Sequence, residues 1–135
     1  MQQIHPHMLW IGAVGAGREF RRLHEAGIRA VVQLAYEEMP ISLPREFISY
    51  RFPLLDGADN DPELLRLAVA SLTQLLERKF ATLVCCQAGL SRAPGIASAA
   101  MARLTGTPFA DCVKLIAAHR ACSIHPAFLA QLQTL

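Results

Sequence analysis

The stretch Ala81-Thr82-Leu83-Val84-Cys85-Cys86-Gln87-Ala88-Gly89-Leu90-Ser91-Arg92 decides how the rest of the chain is read. Ala81 to Cys85 is a short apolar run, the pattern of a strand buried on both faces of a parallel sheet. Beyond Arg92 apolar residues recur at helical spacing, with Ile96, Ala97, Ala100, Met101 and Leu104 on one face. The residues between them form a tight loop from a strand end into a helix N-terminus. Such a loop aims backbone N–H groups at one point, where the helix dipole also favours negative charge. Gly89 permits backbone angles closed to other residues, and Gln87 and Ala88 bring no acidic group to repel an oxyanion. Arg92 can offer two parallel charge-assisted hydrogen bonds. Gln87, Ala88, Gly89, Leu90, Ser91 and Arg92 are therefore a candidate phosphate cradle. Cys86 lies beneath it as candidate nucleophile, its thiolate favoured by the same donors, and Ser91 can donate its hydroxyl to that sulfur.

Each residue alone has a plainer reading: a strand-end Cys is usually a small buried hydrophobe, and an Arg a surface residue. Allowing about 7% for each type, Gly, Ser and Arg at three set places after a given Cys coincide about once in a few thousand sequences.

Working outward, Met8 to Val14 reads as a strand, and the breakers Gly15 and Gly17 separate it from a helix of roughly Arg18 to Ala26 closed by Gly27. Ile28 to Ala35 reads as a second doubly buried strand, and Ile48 to Leu54 as a third, running into the acidic loop Leu55 to Asp61. Asp61-Pro62 starts a helix that reaches about Lys79, with Leu65, Ala68, Val69, Leu72, Leu75 and Leu76 in one stripe. Thr107-Pro108 starts another, and a short segment around Phe128 to Leu132 closes the chain. Strands alternating with helices imply an α/β fold, a three-layer α/β/α arrangement around a central, mostly parallel sheet of four to five strands. Ligands in such sheets favour the carboxyl ends of the strands.

The 135 residues suit one domain, 1–135, and 53% hydrophobic content is ample for a single core. A net charge of +2, from 13 basic and 11 acidic residues, suggests no nucleic-acid or membrane surface, so any anion site must be local. No segment reads as a signal peptide or a membrane span, and the four cysteines are read as free thiols in a reducing cytoplasm.

A Cys, five residues and an Arg, with internal Gly and Ser, resembles the signature loop of protein tyrosine phosphatases, and within them the dual-specificity phosphatases. Leu9-Trp10-Ile11-Gly12 resembles the opening strand of that family, Leu23 to Val32 its helix-then-strand passage, and Arg120, Pro126, Phe128, Gln131 and Leu132 its terminal pattern. The resemblance implies phosphate monoester hydrolysis through a cysteinyl phosphate, without metal or cofactor, on phosphorylated protein. The alternatives are a phosphate-binding module without turnover, or the same chemistry on a phosphoinositide, phosphoglucan or RNA 5′-phosphate. A monomer is favoured. The general acid of the family comes from an upstream loop, and Asp56, directly after the strand, stands in its place; Asp59 reads as a solvated tip and Asp61 as a helix cap. Arg120 resembles a family arginine that adds a second anion contact, so that Arg120 and His119 either border the pocket or form a solvated helix end. The chain departs from the pattern at Cys85, where the family carries a histidine, and at His125, where it often carries an asparagine. Cys112 and Cys122 read as core residues.

Overall fold

A computed structural model describes residues 1–135. The chain order is β1 (Gln2–Gln3), β2 (Leu9–Ala13), α1 (Val14–Arg18), α2 (Phe20–Glu25), β3 (Ala30–Ala35), β4 (Ile48–Leu54), α3 (Pro62–Glu77), β5 (Thr82–Cys86), α4 (Arg92–Thr105), α5 (Phe109–His119) and α6 (Pro126–Gln133). The strands form one sheet in the order β1-β2-β5-β3-β4, parallel except for β1. This is the layered, mostly parallel α/β arrangement expected. β3 and β5 are buried along their whole length because helices cover both faces of the sheet.

Side chains alternate across that sheet. Val32, Val84 and Cys86 enter the large core beneath α3 and α4, while Val31, Leu83 and Cys85 enter a smaller cluster with Leu23, Ile28 and Ile41. Adjacent cysteines therefore serve opposite faces. α3 starts as its sequence demands, Asp61 accepting from Glu63 N at 2.9 Å with Pro62 in the first turn, and it buries the anticipated stripe. Gly27, at φ +77°, closes α2 with bonds from Gly27 N to His24 O and from Ile28 N to Leu23 O.

Three details differ from the sequence reading. The helix expected over Arg18 to Ala26 is two short helices broken at Glu19, and Gly15 and Gly17 lie inside the first of them. Gly17 is there for packing: a Cβ would stand 2.6 Å from Ile41 Cδ1 and 3.2 Å from Cys85 Sγ. α3 ends at Glu77, before Lys79 turns left-handed at φ +64°. Gln2–Gln3, which carries no strand signal, pairs antiparallel with β2. No helix is long and apolar enough to cross a membrane.

Cys85 is fully buried, and burial, with the neighbouring Cys86 adding to it, pushes its thiol up to about 12. It is an inert packing group against Gly17 and the smaller cluster. Cys85→His forces a larger polar ring into that space and should cost about 1–3 kcal/mol. A depressed thermal midpoint checks this; an unchanged midpoint would show that the space accepts the imidazole.

Candidate functional site

Cys86 is the last residue of β5, 2% exposed, and Arg92 is the first of α4. Between them, consecutive carbonyls are held from outside the loop. Gln87 O accepts from Val14 N at 3.1 Å, Ala88 O from Arg120 Nη2 at 3.0 Å, Gly89 O from Arg120 Nε at 2.9 Å and Leu90 O from Ser123 N at 2.8 Å. A planar peptide whose carbonyl points out turns its N–H in. None of the amides from Gln87 to Ser91 donates to a protein acceptor. Gly89, at φ +72°, makes this curvature possible; a Cβ there would lie 2.6 Å from the Gly12 backbone and from Arg120 Nη2.

Arg92 is 5% exposed and oriented by other elements. Its Nη1 and Nη2 grip both carboxylate oxygens of Glu37, the second at 2.9 Å, and Nη1 also donates to Leu54 O at 2.9 Å. Of the five guanidinium N–H donors, that accounts for three and leaves the side-on fork of Nε and Nη2. Nε is buried and has no protein partner. Burial alone would lower the Arg92 pKa, but the bond and charge of Glu37, with the charges of Cys86 and Asp56, hold it above its ordinary value. In return the Arg92 bond holds Glu37 below the usual carboxylate range despite partial desolvation. Glu37 sits in a loop pinned by the Gln33 amide, which donates to Met39 O at 2.8 Å and accepts from Ile41 N at 2.9 Å. The sequence reading missed Glu37; its signal was an acidic residue just past the carboxyl end of a buried strand.

Asp56, Cys86, Gln87, Ala88, Leu90, Ser91, Arg92 and Ser123 line one cavity of about 260 Å³. The structure thus brings Asp56, Cys86, Ser91 and Arg92 together, and leaves Asp59 exposed and Asp61 as the cap of α3. Two expectations need correction. Ser91 Oγ donates to Asp56 Oδ1 at 2.6 Å and accepts from His125 N at 2.8 Å, so its one proton is directed to the carboxylate and not to the Cys86 sulfur. Arg120 does not line the cavity: both carbonyl bonds and a third to Gln2 Oε1 commit its guanidinium to the outside of the loop. His119 is likewise turned away, its Nδ1 bonded to Leu115 O. His125 caps α6, its Nδ1 accepting from Ala127 N at 3.1 Å.

The fold is that seen in solved dual-specificity phosphatases. No family model and no curated protein matches the sequence. Among solved structures, human DUSP28 superposes with a TM-score of 0.87 at 23% identity, covering 99% of this chain and 94% of the other. A mouse putative dual specificity phosphatase, complexed with zinc tungstate, gives 0.87 at 24% identity over 98% of this chain and 84% of its own. The human tyrosine phosphatase-like serine/threonine/tyrosine-interacting protein gives 0.84 at 20% identity, covering 99% and 93%.

Two outcomes follow from the loop geometry. Gly89→Ala meets backbone at 2.6 Å in a left-handed conformation and should lose about 2 kcal/mol or more of stability, read by denaturant unfolding. Because Glu37 is held low, the stability it adds is fully present above the ordinary carboxylate range and drains as pH falls through its lowered value. Glu37→Gln should abolish that part of the acid limb of a stability–pH profile.

Proposed function

We propose that the chain is a phosphate monoester hydrolase acting through a cysteinyl phosphate, with phosphorylated protein as its substrate class. One observation carries the reading: the inward amides and the unpartnered Arg92 fork converge above a strand-end cysteine. Tetrahedral oxyanions fit such donors, and the complex of the mouse neighbour with tungstate supports the same kind of ligand here.

In the first step Cys86 Sγ, as thiolate, attacks phosphorus. The bond from phosphorus to the leaving oxygen breaks, and Asp56 as a carboxylic acid gives that oxygen its proton. In the second, Asp56 as carboxylate takes a proton from water, the water oxygen bonds to phosphorus, and the sulfur departs as thiolate. Ser91 aims the Asp56 carboxyl at the cavity through the 2.6 Å bond, and Arg120 works from behind the loop by holding its carbonyls outward. Arg92 is the one cationic residue lining the cavity, which favours a single phosphate on a neutral side chain over a polyanionic head group, glucan or RNA end. Residues 1–135 act as one catalytic domain in the cytoplasm, where four free thiols stay reduced.

A second reading, a phosphate-binding module without turnover, draws on Cys85: it packs as a hydrophobe on the opposite face of the sheet and gives the loop no polar support. Turnover separates the two. Cys86→Ser should abolish hydrolysis of p-nitrophenyl phosphate while still binding tungstate, since the cradle is backbone and Arg92. Full activity in that variant overturns the mechanism. Asp56→Asn should lower the rate on phenyl phosphate by about 10²-fold or more and far less on p-nitrophenyl phosphate, because only the more basic leaving oxygen needs the proton. Equal losses on both would remove the acid role from Asp56.

A further inference from the structure

Asp56 and its neighbour Leu55 are exposed, yet Asn60 in the same loop is only 7% exposed. Its side chain closes the loop on itself. Asn60 Oδ1 accepts from Leu55 N at 2.7 Å, and Nδ2 donates to Leu55 O at 2.9 Å and Gly57 O at 3.3 Å, so the backbone on both sides of Asp56 is tied to one amide. A second amide reaches it from far along the chain. Gln131 of α6 donates from Nε2 to Asn60 O at 2.5 Å, and its Oε1 accepts from Asn60 N at 3.4 Å and Asn60 Nδ2 at 3.3 Å. α6 is itself joined to the cradle at its start, where His125 N donates to Ser91 Oγ, the same oxygen that donates to Asp56.

We propose that Asn60 and Gln131 are positioning residues for the acid step: together they lock the Asp56 loop to α6, so that the carboxyl and the phosphate cradle share one rigid support. This rests on the hydrolase reading above. Neither residue lines the cavity, so neither touches substrate. Their effect must pass through where Asp56 stands. A carboxyl displaced by about 1 Å loses proton transfer steeply, while attack by Cys86 on a substrate with a good leaving group is spared.

The test compares Asn60→Ala and Gln131→Met, each with and without Asp56→Asn, on phenyl phosphate and p-nitrophenyl phosphate. Each single variant should lose at least about tenfold in kcat on phenyl phosphate and less than about threefold on p-nitrophenyl phosphate. On the Asp56→Asn background neither should cost anything further, because the group they position is already gone. Amide hydrogen exchange gives a readout that needs no turnover: Leu55 N–H should lose protection in both variants, while amides of β5 keep theirs. Equal losses on the two substrates, losses that multiply with Asp56→Asn, or unchanged Leu55 protection each overturn the proposal. If the parent chain hydrolyses neither ester, the hydrolase reading fails, and retained Leu55 protection in the variants then refutes the lock as well; lost protection upholds the lock as a device that fixes Asp56 beside the cradle.

Discussion

The site depends on the outward anchoring of the carbonyls from Gln87 to Leu90. A peptide group is a rigid plane, so fixing its oxygen fixes the direction of the neighbouring N–H. Val14 at the start of α1, and Arg120 and Ser123 in the segment between α5 and α6, supply the anchors from two distant parts of the chain. Gly89 then makes the bend, and a side chain there is strained, because an added Cβ would stand 2.6 Å from the Gly12 backbone in a left-handed conformation. The helix end of α4 adds its dipole, but the dipole alone would not make a cavity.

Arg92 obeys the same logic at the level of a side chain. A buried guanidinium with one partner removed is costly, and here Glu37 and Leu54 O satisfy one end and one flank while the other flank faces the cavity. The arginine is pre-oriented rather than mobile, so an anion that meets it need not first order a long side chain. The loop carrying Glu37 is stitched to β3 through Gln33, which places the outermost support of the site in a strand adjacent to the nucleophile strand.

The two neighbouring cysteines show how strand geometry divides labour. Successive side chains of β5 point to opposite faces, so Cys86 reaches the cavity and the large core, while Cys85 is sealed in the smaller cluster against Gly17. That cluster is built around a small residue: α1 approaches the sheet closely because Gly17 has no side chain and Cys85 a compact one.

Much of this was legible in the chain itself. Doubly buried strands at Ile28 to Ala35 and Ala81 to Cys85, the Asp61-Pro62 helix start and the Cys86 to Arg92 spacing are local patterns, and local patterns are set by period, capping and backbone freedom. They determined the layered α/β class, the order of strands and helices along the chain, and Cys86 and Arg92 as candidates; Asp56 came from the resemblance to the family's acid loop. The tertiary structure alone decided the partners. Glu37 lies 55 residues before Arg92, Gln131 lies 71 after Asn60, and Gln2 lies 118 before Arg120. Nothing in their neighbours announces those pairings, because a polar side chain is assigned to a bond by proximity after folding and not by its sequence context. For the same reason Ser91 turned out to donate to Asp56, and Arg120 to brace the loop from behind: each was the right residue type at the right position, and only the packed chain settled which acceptor its hydrogens could reach.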